Sequence, residues 1–291
     1  MTTGDLVVHD PGRMTFQLRP AYAMALARGL GVGEPMSGMC QHVGWLAKVE
    51  DLVVECFRKG GGVSFETFGQ VVWGSDATTE PYDLDTVDPM TVDDVLSLLP
   101  DVARRLESGI DVADVGCGGG WQLNLLARRF PASRFVGYDL LDRSLEPGRR
   151  VARSLGLTNV RFEQKDAATV DGSEKFDFIT TFDAIHDQAR PDLALRGIAK
   201  SLRAGGTYIG VDVSGSSTLA NNLRAPLAVF KYTWSVLYCM TSSLAYNGMG
   251  LGGMWGEELA QKMMREAGFT SVKTVHLPAN LINCYHIATV A

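Results

Sequence analysis

The stretch Asp111-Val112-Ala113-Asp114-Val115-Gly116-Cys117-Gly118-Gly119-Gly120-Trp121 decides the fold. Its first five residues read as a short strand, and Trp121–Phe130 reads as a helix. Between them, glycines let the backbone turn sharply and approach a ligand closely. Many strand-to-helix turns are glycine-rich, so the spacing carries the information. A dinucleotide fingerprint needs Gly-x-Gly-x-x-Gly. Counted from Gly116 the sixth position is Trp121, and counted from Gly118 it is Leu123. Both fail, which argues against a nicotinamide-dinucleotide dehydrogenase. A phosphate-cradling loop needs Gly-Lys-Ser/Thr after the turn, and no lysine stands there. What remains is Gly-x-Gly-x-Gly behind an acid, Asp114.

Outward from this turn, short β-branched runs alternate with helical patterns. Strands are expected at Arg134–Asp139, Val160–Gln164, Phe176–Thr181 and Thr207–Val211. Helices are expected at Pro147–Leu155 and Asp192–Leu202. This rhythm predicts an α/β fold with a parallel sheet covered by helices on both faces. Ser214–Trp255 interrupts it. The alternation resumes with a helix at Gly256–Ala267 and strands near Ser271–Val275 and Tyr285–Val290, the last expected to be antiparallel. The sheet is thus expected to be seven-stranded and mostly parallel. Residues 1–95 lack the alternation. They carry an amphipathic pattern over Val43–Arg58, stopped by Gly60-Gly61-Gly62, and a helix pair over Met90–Glu107 broken near Pro100. The expected organisation is an N-terminal helical segment over 1–95 and a catalytic domain over 96–291, with an insertion or cap at 214–255.

A chain of 291 residues, 46% apolar, buries a core without disulfides or metal. The net charge is −6, and residues 1–70 hold six basic and seven acidic side chains. No basic field marks a nucleic-acid partner. Cys40, Cys56, Cys117, Cys239 and Cys284 are scattered with no Cys-x-x-Cys pair, so no metal site is expected. Reduced thiols point to the cytoplasm. The N-terminus shows no signal-peptide pattern. Leu227–Tyr246 is long and mostly apolar, but Lys231 lies near its middle, so a helix buried in its own protein is expected rather than a membrane span.

Two further positions carry chemistry on their own pattern. Asp139 ends the second strand, where an acid can accept hydrogen bonds from ribose hydroxyls; the competing role is to cap the next helix. His186, in Phe182-Asp183-Ala184-Ile185-His186-Asp187, follows the fourth strand. A neutral imidazole there can take a proton from a hydroxyl or amine, or can merely bond within its turn.

Asp111–Asp212 resembles the core of class I S-adenosylmethionine-dependent methyltransferases, with motifs in matching order and spacing. The resemblance implies a Rossmann-like methyltransferase fold and S-adenosyl-L-methionine as cofactor. It implies cofactor contacts at Asp114, Gly116, Gly118, Gly120, Asp139, Leu140, Asp166, Ala167 and Phe182, with Asp166 facing the adenine. Leu202-Arg203-Ala204-Gly205-Gly206-Thr207 is similar to a structural turn of these enzymes. A closer resemblance, carried by Val54–Val63, Phe182–Pro191 and Leu251–Glu257, is to a subfamily with a winged-helix-like segment before the methyltransferase, often described as transcriptional regulators. That pattern usually reads Gly-Gly-Val-Pro-Tyr. Here Gly61-Gly62-Val63-Ser64-Phe65 lacks the tyrosine hydroxyl. Leu6–Leu18 resembles the wing, while the helices that would precede it, the recognition helix among them, are missing.

The expected function is methyl transfer to a small organic acceptor, on oxygen, nitrogen or carbon, with His186 as the candidate catalytic residue. The alternative is a non-catalytic, cofactor-binding transcriptional regulator. Expected partners are the small-molecule acceptor and a second copy of the chain, with neither nucleic acid nor membrane. The insertion is expected to form a lid over the acceptor; its Phe230, Tyr232, Trp234, Tyr238 and Tyr246 can either line that pocket or belong to an ordinary core, and Gly248, Gly250, Gly252 and Gly253 can serve as hinges.

Overall fold

The computed structural model describes residues 7–20, 22–23, 36–72, 83–85, 90–173, 175–278 and 280–291. The chain divides into two compact units, Met1–Lys48 and Val49–Ala291. In the first, strands β1 (Val7–Asp10) and β2 (Thr15–Leu18) form an antiparallel hairpin. The helix Met36–Lys59 begins there and ends in the second unit.

The second unit carries a seven-stranded sheet. Its strands are β3 (Asp111–Val115), β4 (Arg134–Asp139), β5 (Val160–Gln164), β6 (Phe176–Phe182), β7 (Leu202–Val213), β8 (Ser271–Val275) and β9 (Asn283–Thr289), in the order β5-β4-β3-β6-β7-β9-β8. The five from β5 to β7 are parallel, and β9 is antiparallel to both neighbours. The central strands are buried on both faces, as a sheet covered by helices requires. On one face lie Val112, Phe135, Phe178, Leu123, Leu126 and Val151; on the other lie Ala113, Val136, Ile179, Leu195 and Ile198. Successive β3 residues divide between the two layers because strand side chains alternate. The chain moves from β3 to β4 and β5 in one direction, then returns to β6 and β7 in the other. The switch between β3 and β6 opens a crevice at the carboxyl ends of these strands, where open α/β sheets bind ligands.

The element order is as expected, and three boundaries differ by more than two residues. The helix after β4 is Asp142–Ser154 and starts five residues before Pro147. Leu145 is fully buried on the same face as Val151, so tertiary burial carries the helix through a proline that local preference places at its start. β7 begins at Leu202 rather than Thr207, because Leu202 pairs with Phe176 before a register shift resumes at Phe178–Thr207. The N-terminal helix is longer than Val43–Arg58, running from Met36 to Lys59.

The insertion leaves the carboxyl end of β7. It forms a short helix, Leu219–Asn222, then a continuous helical run from Ala228 to Ala245 that contains a π-helical turn at Ser235–Met240. Among the described residues, no helix is long and apolar enough to cross a membrane. Cys56, Cys117, Cys239 and Cys284 carry free thiols.

Candidate functional site

β3 delivers the glycine turn to the crevice. Gly116 and Cys117 donate their N–H groups to Tyr138 O at 2.8 and 2.9 Å, which binds the turn to the end of β4. Gly116 has no room for a side chain: a Cβ would stand 2.6 Å from that of Ala184. At Gly118 the reason for glycine is different. Its φ of 51° lies in the left-handed region, and nothing stands within 4 Å of where a Cβ would be. The backbone there faces open space. Gly120 precedes the helix Trp121–Arg129.

Asp139 closes this cradle. Its Oδ2 accepts the Gly118 N–H at 2.9 Å and its Oδ1 accepts the Leu141 N–H at 3.1 Å. The second bond is a local turn. The carboxylate does not cap the following helix, whose N-cap is Leu141. Each oxygen keeps a lone pair for a further donor. Burial raises the Asp139 pKa, and the N–H groups of Leu141 and Gly118 oppose that shift. Leu140, half-buried, follows. Asp114 lies behind the turn and is fully buried. Its Oδ1 accepts the Thr180 hydroxyl at 2.9 Å, and burial raises its pKa to about 7, with Asp139 adding to the shift.

Asp166 and Ala167 stand just beyond β5. Asp166 is exposed, and its Oδ1 accepts the Ala168 N–H at 2.8 Å, capping a short 3₁₀ turn; Ala167 is buried beneath it. Phe182 ends β6, half-buried against the core. Asp183 follows with a φ of 46°, a conformation that costs energy for a side-chain-bearing residue, and its Oδ1 accepts Asn283 Nδ2 at 2.7 Å. The structure thus brings Asp114, the three glycines, Asp139 and Leu140 together. Asp166–Ala167 and Phe182 stand at the ends of the flanking strands.

His186 lies in a 3₁₀ turn after β6 and is 2% exposed. Its Nδ1 is 2.6 Å from Asp212 Oδ1, at the end of β7, and its Nε2 is 3.2 Å from Asp187 Oδ1. Burial alone would lower its pKa. The Asp212 and Asp187 carboxylates outweigh that and hold it well above its ordinary value. Asp212, Asp187 and Cys239 were not singled out from the sequence as site residues. The signal for Asp212 was available: an acid ending a strand on the ligand-binding edge.

The insertion packs on this same edge. Ser243 Oγ donates to Gln188 O at 2.8 Å, and Met249 N donates to Ala189 O at 3.0 Å. The segment after Gly60 joins in. Val63 N donates to Thr241 Oγ1 at 2.8 Å, Tyr246 donates to Glu66, and Arg143 Nη2 donates to Phe65 O at 3.3 Å. The residues around Phe65 therefore bridge the insertion and the start of the helix Asp142–Ser154. Phe65, which lacks the hydroxyl, stacks on Tyr246 at 5.9 Å and meets Tyr238 edge-on at 6.1 Å.

The inner face of the insertion helix is polar. Its buried positions are Lys231, Ser235, Cys239, Thr241, Ser242 and Ser243, all polar or thiol. Phe230, Trp234 and Tyr238 form a half-buried ladder one residue out of step. The glycines expected as hinges are close-packed. A Cβ at Gly248 would stand 2.4 Å from Ala189 Cα, and one at Gly252 would stand 2.4 Å from Ser235 Oγ.

The strand order and the glycine turn at its switch point define a Rossmann-like methyltransferase fold. The methyltransferase-domain family model matches residues 106–268, and the chain belongs to that family. Among curated relatives, ribosomal RNA small subunit methyltransferase G of Flavobacterium johnsoniae is 40% identical over 77 residues, covering 26% of this chain and 36% of that protein. The fatty-acid O-methyltransferase of Mycolicibacterium smegmatis is 32% identical over 104 residues, covering 36% of this chain and 37% of that protein. The match thus spans little more than a third of the length of these relatives. An O-methyltransferase family protein from Burkholderia thailandensis shares the fold over 100% of this chain and 81% of its own, with a TM-score of 0.69 at 16% identity.

Proposed function

We propose that the protein is an S-adenosylmethionine-dependent methyltransferase acting on a small organic acceptor. One observation carries this reading: the Asp139 carboxylate sits across the Gly118 N–H beside an open, side-chain-free stretch of backbone at the sheet's switch point. That arrangement fits a ligand with a ribose and a flat base better than one with a pyrophosphate. In this reading Asp139 accepts the ribose hydroxyls. Gly116, Gly118 and Gly120 let the backbone come close, Leu140 and Ala167 flank the base, and Asp166 takes its exocyclic amine. Asp114, a buried carboxyl behind the turn, acts on the cationic end of the ligand from beneath the glycines, and Phe182 borders the reacting methyl.

The cofactor, when bound, supplies an electrophilic methyl group on a sulfonium. The protein's own contribution is positioning and exclusion of water, which supply a large part of the acceleration of an in-line displacement. His186, pinned through Nδ1 by Asp212, turns Nε2 toward Asp187 and the insertion. It is the residue we place on the acceptor side. The seryl inner face of the insertion staples loop backbone over that side.

The relatives named above act on both ribosomal RNA and fatty acids. The net charge of −6 favours a small acceptor over RNA. The hairpin β1–β2 is where a wing is expected, and we assign it no role in reading DNA. A cytoplasmic location fits the free thiols.

The test is release of S-adenosylhomocysteine from the purified protein with a panel of small phenols, alcohols, carboxylic acids and amines, and with ribosomal RNA. Turnover with one small-molecule class is expected. Cofactor binding without turnover on any of them would favour the regulator, and turnover on RNA alone would contradict the acceptor class.

A further inference from the structure

We propose that His186, Asp187 and Cys239 form a buried binding site for a divalent transition-metal cation of the zinc type, with one coordination position left for a non-protein ligand. This does not rest on the methyl-transfer reading. His186 and Asp187 come from the turn after β6, and Cys239 comes from the insertion helix. One ligand atom from each, an imidazole nitrogen, a carboxylate oxygen and Sγ, lie within 4.8 Å of one another. The three residues are 2%, 8% and 2% exposed. Imidazole, carboxylate and thiolate together form a donor set that zinc accepts and that calcium or magnesium does not.

Three further features point to an ion. First, Asp187 Oδ1 is buried and accepts no hydrogen bond, although His186 Nε2 is only 3.2 Å away. The oxygen is near the nitrogen but off its N–H axis. Neighbouring ligands of a tetrahedral ion stand in this relation, each aimed at the ion rather than at the other. With metal bonds of about 2.0–2.1 Å their separation is roughly 3.3 Å. A buried carboxylate oxygen that has a charged neighbour but accepts no hydrogen bond is incompletely satisfied, and a cation supplies the missing partner.

Second, the outer partner is in place. Asp212 Oδ1 accepts from His186 Nδ1 at 2.6 Å, which fixes the ring and leaves Nε2 as the ligating nitrogen. A carboxylate behind the imidazole is the usual support of a metal-bound histidine. Third, the backbone makes room. A Cβ at Gly253 would stand 3.6 Å from Cys239 Sγ and 3.7 Å from His186 Nε2, so that side of the cluster is bordered by backbone with no side chain. The π-helical turn at Ser235–Met240 contains Cys239, and such turns occur mostly where function demands a particular side-chain position.

Binding releases the Cys239 thiol proton and the Nε2 proton of His186 to solvent, as ligation by thiolate and neutral imidazole requires. The open position then takes water or an acceptor oxygen or sulfur, whose proton the cation would loosen. This last step alone rests on the methyl-transfer reading.

The experiment uses the full chain purified without a polyhistidine tag or chelator. Elemental analysis is expected to find about one equivalent of zinc per chain. After exchange, the cobalt(II) protein is expected to show tetrahedral d–d bands and a thiolate-to-cobalt charge-transfer band. Cys239→Ser should remove the charge-transfer band while far-ultraviolet circular dichroism is unchanged. Asp212→Asn should weaken cobalt binding roughly 10–100-fold. The cobalt spectrum of the unaltered protein decides the matter should a variant fail to fold. A protein that takes up no cobalt, a bound cobalt with no thiolate band, or a band that survives Cys239→Ser would overturn the proposal, leaving a proton shared among the imidazole and its carboxylates.

Discussion

Residues 111–140 and 214–255 both border the crevice, yet they are built in opposite ways. In the first, local sequence does nearly everything. Strand, glycine turn, helix and acid follow one another within thirty residues, and the bonds that shape the site, Gly116 and Cys117 to Tyr138 and Gly118 to Asp139, stay inside that span. In the second, the contacts that matter reach far along the chain: Cys239 to His186 and Asp187, Thr241 to Val63, Tyr246 to Glu66. A ligand cradle encoded locally can be read from spacing. A surface assembled from remote segments cannot.

Removing the imidazole that lies beside Cys239 of the insertion should have the largest effect. His186→Ala is expected to lower turnover by about 100-fold or more and to leave cofactor affinity intact, read by product release and calorimetry on the same preparation. A parallel loss of cofactor affinity would mean that the acceptor side and the cradle are not separable.

The cradle carries its own signature in pH. Asp114 has an ordinary pKa of 3.8 and is raised to about 7 in the folded protein, chiefly by burial. The folded state therefore holds a proton that the unfolded state has released across this interval. This group's effect is to make stability fall as pH rises from about 4 to about 7. Asp114→Asn should remove that slope, so the variant gains on the parent by on the order of 1–4 kcal/mol between acid and neutral pH. Urea unfolding at several pH values measures it, and parallel profiles would place the buried charge elsewhere.

The remote contacts can be broken from a distance. A Cβ at Gly62 would stand 1.9 Å from Thr241 O and 2.5 Å from Ala245 N, with backbone on both sides of the clash. Gly62→Ala is expected to cost about 1–3 kcal/mol of stability, visible as a lower urea midpoint. An unchanged midpoint would show that residues 61–65 do not pack on the insertion. The smallest expected effect is on DNA: a gel shift at low salt should show no sequence-selective complex, since the charge balance offers no footprint. A tight, salt-sensitive complex would contradict that.

The same contrast explains what was legible. The mostly parallel seven-stranded sheet followed from the βαβ rhythm, and the placing of the glycine turn beside Asp139 followed from Gly-x-Gly-x-Gly with an acid at the next strand end. The insertion is legible as a helix at the ligand edge, but which of its faces is buried is not. Phe230, Trp234 and Tyr238 form one ladder four residues apart; Lys231, Ser235 and Cys239 form another, rotated by one residue. Composition favours the aromatic ladder as the buried one. The structure buries the polar ladder, because its side chains satisfy loop backbone: Lys231 Nζ donates to Ser214 O at 2.9 Å, and Ser235 Oγ accepts Met254 N at 3.4 Å. Only the tertiary structure chooses between two ladders of equal period. The cluster of His186, Asp187 and Cys239 was invisible for the same reason. A spacing rule that looks for paired cysteines cannot find ligands contributed by separate elements. Pro147 misled locally, because the burial of Leu145 was not evident from the pattern around it.

Calorimetric titration of the purified chain with S-adenosylmethionine, S-adenosylhomocysteine and NAD decides whether the glycine turn and Asp139 hold a methyl donor. The first two should bind and NAD should not, and Asp139→Ala should weaken the first two by about 1.5–3 kcal/mol, the scale of hydrogen bonds to a charged group. Preferential binding of NAD, or an affinity for S-adenosylmethionine untouched by Asp139→Ala, would contradict a methyl donor held there.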